Sequence, residues 1–287
     1  MSKLVYKNFR KEEMEFHFQP RLAVPDYPRL AEERARVSAV VRARLKSSLN
    51  IPYGETPRQV VDIFPAAKPE APVQLYIHGG YWRSGSKEGS HFLAETFVQA
   101  GATVVFLEYD LCPKVTVTDI VRQARAGIVW VYRNIAEYGG DPSRLYLSGN
   151  SVGGHLVAMA LAYDWEKEEG LPRDMIKAAV AITGVYDLDP VFHIAVNQEV
   201  RLTPEVAREN SPNLHPPLPH TPLIIAVGGD EPLGWREMSR DFFNLCRKRG
   251  VDCQYLEIPG VHHYGINALL GNAESALSRA ILTQMGL

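Results

Sequence analysis

The sequence predicts an α/β fold, with a mainly parallel central sheet covered by helices on both faces. Three observations carry that expectation. Short apolar runs of strand character alternate with longer helical patterns along most of the chain, the order that builds parallel crossovers. The residues with chemical character fall just after strand ends, where open α/β sheets place their sites. Gly149-Asn150-Ser151-Val152-Gly153 stands between the apolar run Arg144-Leu145-Tyr146-Leu147 and the buried-helix pattern Leu156 to Ala162, so it lies on a strand-to-helix turn.

Bulk properties narrow the classes. At 287 residues and 46% apolar, the chain can bury one sizeable core. We expect a single domain over 1–287, with an N-terminal helical arm over 1–55 and a small helical lid over about 186–219. Lys and Arg (31) nearly cancel Asp and Glu (33), so no electrostatic footprint calls for nucleic acid or an anionic membrane. The N-terminus has no apolar segment of signal-peptide length, and no run is long enough to span a bilayer. Cys112, Cys246 and Cys253 are odd in number and lack metal-ligand spacing. The expected setting is cytoplasmic, with a small-molecule substrate, no cofactor and no metal; a homodimer is left open.

In chain order, Glu32 to Leu45 gives one amphipathic helix whose basic side is expected to be solvated. Val60 to Phe64 reads as an edge strand and Val73 to Ile77 as a central one, running into His78-Gly79-Gly80-Tyr81-Trp82. An apolar helix from about Phe92 to Ala100 precedes a strand from Thr103 to Glu108. A long helix from about Val117 to Glu137 is stopped by Gly139-Gly140-Asp141-Pro142. Beyond the Ser151 turn come strands at Ile176–Ile182, Leu223–Val227 and Cys253–Ile258, a proline-rich stretch from Pro190 to Pro219, and a helix from about Trp235 to Lys248.

Cleaving an acyl bond needs a nucleophile, a base, a group that orients the base, and donors for the developing oxyanion. Each has a candidate after a different strand. Gly-x-Ser-x-Gly on a strand-turn-helix marks Ser151 as the nucleophile. Its oxyanion donors would be the N–H of Val152, next in the chain, and those of Gly80 and Tyr81 in the His-Gly-Gly loop. The acid is Asp230 or Glu231, and the base is His262 or His263. The order Ser, acid, His is that of the α/β-hydrolases. His78 is expected to brace its loop and His155 to pack beneath the turn. Tyr81, Trp82 and Tyr186 are candidates for an aromatic substrate wall.

Longer segments make a resemblance specific. His78-Gly79-Gly80-Tyr81-Trp82-Arg83-Ser84-Gly85-Ser86-Lys87 resembles the oxyanion segment of the α/β-hydrolase-type kynurenine formamidases (arylformamidases). Gly149 to Leu156, Thr183 to Leu188 with Glu209-Asn210-Ser211-Pro212, and Gly260-Val261-His262-His263-Tyr264 are similar to further segments of that family, and the likeness runs from about Asn50 to the C-terminus. The resemblance implies Glu231 rather than Asp230 as the acid, and His263 rather than His262 as the base. It also implies a metal-free serine hydrolase acting on an N-formyl or other short-acyl aryl amide, N-formylkynurenine first. Asn150 stands where the family usually has histidine and Val152 where it usually has alanine. The bulkier Val152 is expected to narrow the acyl pocket and favour formyl over acetyl. The rival readings are a carboxylesterase or carbamate hydrolase with the same machinery, and a non-catalytic binding protein of the same fold.

Overall fold

A computed structural model describes residues 3–287. Its centre is an eight-stranded sheet. We number its strands β1 (Ser48–Pro52), β2 (Val60–Phe64), β3 (Ala71–Ile77), β4 (Thr103–Leu107), β5 (Gly140–Asn150), β6 (Ile176–Ile182), β7 (Leu223–Gly228) and β8 (Cys253–Ile258). They lie in the order β8-β7-β6-β5-β3-β4-β2-β1. Pairing is parallel from β8 through to β4, and β2 and β1 add an antiparallel edge. β3, β4, β6 and β7 are almost wholly buried, which is why their sequences read as unbroken apolar runs rather than alternating ones.

The principal helices are α1 (Lys11–Phe18), α2 (Tyr27–Arg44), α3 (Ala94–Gln99), α4 (Val117–Asn134), α5 (Val152–Leu161), α6 (Leu233–Lys248), α7 (His263–Ala268) and α8 (Ala276–Met285). Two apolar cores lie on opposite faces of the sheet. One packs α1, α4, α5 and α6 against it; the other packs α2, α3, α7 and α8. α4 starts at a Thr116–Asp119 capping box and runs on through a 3-10 turn, Ile135–Tyr138, to Gly139, whose φ of 80° closes it. Among the described residues no helix is long and apolar enough to cross a membrane.

Several expectations need correction. Val60–Phe64 is not the edge: Ser48–Pro52 pairs outside it, a strand whose one-in-two apolar pattern is too short to register. The first 55 residues are therefore not only helical; they also hold a small ribbon, Leu4–Tyr6 with Phe9–Arg10. The helix expected from Phe92 begins as a 3-10 turn over Lys87–Leu93, held because Lys87 and His91 are drawn down onto the buried carboxylate of Asp62 at 3.0 Å each. The stretch from Pro190 to Pro219 is short helical pieces, Asp189–His193, Asn197–Val200 and Pro204–Asn210. It is tied to the arm by the Ala195 N–H donating to Glu15 and by the Tyr6 hydroxyl donating to Asp187.

The chain leaves β3 for β4 on one side and returns to β5 on the other. Crevices at such a reversal point, beyond the carboxyl ends of the strands, are where ligands bind in open α/β sheets. His78-Gly79-Gly80 follows β3 and Ser151 follows β5, so both border that crevice.

Candidate active site

Ser151 sits between β5 and α5 with φ 58° and ψ −121°, a strained conformation for a non-glycine residue. The surroundings hold it there. A Cβ on Gly149 would lie 2.4 Å from the Gly153 carbonyl oxygen, and one on Gly153 would lie 2.0 Å from that of Ile77. Only glycine allows α5 to start this close to the ends of β3 and β5. The Ser151 N–H donates to Ile182 at 2.8 Å, fixing the turn against β6. Ser151 therefore projects from a rigid seat into a cavity of about 320 Å³ that it shares with His263, Gly79, Gly80 and Tyr81.

His263 begins α7, directly after the turn that leaves β8. Its Nδ1 lies 2.6 Å from Glu231 Oε2, and both side chains are buried. The other Glu231 oxygen accepts the Gly228 N–H at 2.9 Å. Asp230 is exposed, and among the described residues only its backbone is engaged, with its N–H donating to Val261. His262 has a different occupation. Its Nδ1 accepts the N–H groups of Tyr264 and Gly265 at 3.2 and 3.1 Å, making it the N-cap of α7. Of the two adjacent acids and two adjacent histidines, the structure pairs Glu231 with His263.

The loop after β3 is equally constrained. Gly80 has φ 130°, and Tyr81 and Trp82 follow at 52° and 56°. A Cβ on Gly79 would come within 2.7 Å of the Asn150 carbonyl and 3.0 Å of Ser151 Cβ, so this loop runs directly against the serine turn. Among the described residues no acceptor meets the N–H of Gly80 or Tyr81. Val152 opens α5, where the first N–H groups lie outside the helix ladder.

His78 braces this loop as expected, but the buried carboxylate that holds it was not foreseen from the sequence. Glu108, just past β4, accepts from His78 Nε2 at 2.9 Å, from Arg58 at 2.6 Å and from the Lys87 N–H at 3.0 Å. Burial pushes the Glu108 carboxyl up, but these donors outweigh it and hold it below the ordinary carboxylate value. His78 also stacks on Tyr109 at 4.3 Å, and the Tyr109 hydroxyl donates to the His78 carbonyl. The place of Glu108 at the carboxyl end of the strand adjacent to the glycine loop is one that any strand-end acid shares, so the sequence carried no specific signal for it.

The aromatic wall is mostly elsewhere. Tyr81 lines the cavity, but Trp82 and Tyr186 do not. Trp82 is fully buried, edge-on to His155 at 5.0 Å, and Tyr186 stacks on Phe242 at 4.1 Å. Their places on the wall are taken by Tyr27, Tyr76 and Tyr264. Val152 also needs correction as a pocket-shaping side chain: it is buried in the core and does not line the cavity. The lid contributes Val196 to the lining, whereas the N-terminal arm contributes Gln19, Pro20, Arg21, Tyr27, Ala31 and Arg34.

His155 lies fully buried below the turn, with Nε2 donating to the Asn210 carbonyl at 2.7 Å and, among the described residues, no partner at Nδ1. Burial pushes this imidazole down to about 4 from the usual 6.5. The folded protein therefore refuses a proton that the unfolded chain accepts below 6.5, so stability falls as pH drops through that window. By about pH 5 the loss relative to neutral pH should reach about 2 kcal/mol. Urea unfolding of wild type and His155→Gln at both pH values checks this: the variant should show the shallower dependence, and parallel curves would refute it.

The family model described as alpha/beta hydrolase fold matches residues 74–266. The chain is 30% identical over 294 residues to the kynurenine formamidase of Danio rerio, covering 98% of each chain. It is 32% identical over 296 residues to that of Salmo salar, with the same coverage. Among solved structures, a Pyrobaculum calidifontis esterase shares the fold with a TM-score of 0.72 at 20% identity, covering 96% of this chain and 97% of the other.

Proposed function

Because the chain belongs to the kynurenine formamidase family of the α/β-hydrolase superfamily, a family of hydrolases, we propose that it is a serine hydrolase of N-formyl aryl amides, with N-formylkynurenine the preferred substrate. The observation that carries this reading is the buried His263–Glu231 pair at 2.6 Å, whose histidine lines the same cavity as Ser151.

Ser151 Oγ attacks the formyl carbon while His263 Nε2 takes its proton. Nδ1 stays bonded to Glu231, which holds the imidazole in the tautomer that leaves Nε2 free and stabilises the imidazolium as it forms. The N–H groups of Gly80, Tyr81 and Val152 receive the negative oxygen of the tetrahedral intermediate. Fixed by glycine geometry and the Glu108 brace, they need no reorganisation when charge appears. His263 then gives its proton to the departing aryl amine. Water, activated by the same imidazole, releases formate from Ser151.

The substrate test is kcat/KM on N-formylkynurenine beside simple aryl acetates. Efficient formamide hydrolysis is expected. Turnover of the esters with none of the formamide would replace this reading with a carboxylesterase.

The acid can be checked separately. Glu231→Gln should lower kcat by about 10⁴-fold, the scale seen when a triad carboxylate becomes an amide and the wrong tautomer is held. Asp230→Asn, altering an exposed side chain, should stay within a few-fold of wild type. The reverse ranking would shift the assignment by one residue.

A further inference from the structure

Three arginines, Arg21, Arg34 and Arg83, line the cavity beside Ser151, and no aspartate or glutamate does. Arg83 is already neutralised, in an ion pair with Glu199. The other two belong to the N-terminal arm and face phenols instead. Arg21 lies over the Tyr27 ring at 4.7 Å and donates to its hydroxyl at 3.4 Å. Arg34, half-buried, stands 5.9 Å from the Tyr264 ring. Other arginines around them are paired: Arg29 with Asp26 at 2.8 Å, Arg36 with Glu33 at 2.7 Å, and Arg44 with Glu95. The basic side of α2 is thus not uniformly a solvated face. Among the described residues Arg34 is turned to the cavity without a counter-anion. Burial lifts the Tyr264 phenol to about 12, and Arg21 and Arg34 oppose that rise, so their charge is felt inside the pocket.

A guanidinium on a concave wall without a counter-anion keeps a positive potential that low-dielectric surroundings focus. Its planar fork matches a carboxylate. With no carboxylate on the wall, nothing complementary is offered to an ammonium group. Resting on the formamide-hydrolase reading above, we propose that Arg34 and Arg21 form a subsite for a carboxylate carried by the aryl-amine half of the substrate, and that an α-ammonium beside that carboxylate is not read. A formyl group has no atom to bear a charge, so the anion must belong to the leaving amine. The arm, rather than the lid, then sets substrate choice.

The probes are the deaminated analogue of N-formylkynurenine, which keeps the carboxylate, and its methyl ester, which removes the charge; release of the aryl amine is followed. In wild type kcat/KM for the acid should exceed that for the ester by about 10- to 100-fold, the range for one charge-assisted contact. That ratio should fall by about tenfold or more in Arg34→Gln, fall less in Arg34→Lys, which keeps the charge but not the planar fork, and be unaffected in Arg29→Gln, which removes a charge from the same helix away from the cavity. N-formylkynurenine itself should match the deaminated acid within a few-fold. A wild-type ratio near one overturns the subsite, as does a ratio that survives in both Arg34→Gln and Arg21→Gln. If the protein cleaves neither formamide, the functional reading falls by itself. The subsite is then decided by calorimetric titration with the deaminated product acid and its methyl ester. Tighter binding of the acid, lost in Arg34→Gln, upholds it, and equal binding overturns it.

Discussion

Ser151→Ala is expected to leave a folded protein whose hydrolysis of N-formylkynurenine is reduced by on the order of 10⁴-fold or more. Nucleophile and base work as one unit, so removing either forfeits nearly everything the pair supplies. Folding should be indifferent. Alanine keeps the Cβ, the positive φ is imposed by Gly149 and Gly153, and the Ser151 N–H still donates to Ile182. The thermal midpoint should therefore stay within a few degrees of wild type while formate release disappears. Residual activity near the wild-type level would remove the serine mechanism, because no other hydroxyl stands on the same elbow.

The elements that were legible in the sequence are those governed by local rules. Ser151 could be read because a strained strand-to-helix turn demands glycines two residues to either side, and those glycines are visible in one dimension. The parallel strands could be read because burial on both faces forces continuous apolar runs. The long α4 could be read from its stop at Gly139. What escaped depends on contacts between distant segments. Glu108 meets His78 across 30 positions and Arg58 across 50, and nothing local distinguishes it from any acid at a strand end. Trp82 and Tyr186 looked like wall residues because they adjoin site motifs. Proximity in sequence does not decide which way a side chain points, and Trp82 is fully buried against His155. Arg34 was read as part of a solvated stripe because helical periodicity finds faces but not what each face meets. The choice between Glu231 and Asp230 came from family resemblance, and the structure supplies a physical distinction: one carboxylate is buried against a histidine and a backbone N–H, and the other is exposed.

The adjacent histidines give the most discriminating experiment, because each variant predicts a different kind of failure. His263→Ala should abolish turnover, to about the level of Ser151→Ala, since the proton of Ser151 then has no acceptor. It also strands Glu231, a buried carboxylate left with one backbone donor, so some loss of stability is expected. His263→Asn tests the base more cleanly, because an amide can still donate to Glu231 but cannot take a proton; it should be equally inactive and better folded. His262→Ala should behave in the opposite way. It removes the acceptor for the N–H groups of Tyr264 and Gly265, an N-cap loss of about 0.5–2 kcal/mol. Since His263 is the first residue of the helix so capped, its position loosens without its chemistry being touched. Activity should fall by no more than about tenfold, while the urea midpoint moves down. Full activity in His263→Asn together with loss in His262→Ala would exchange the two roles and leave the 2.6 Å contact with Glu231 a structural one.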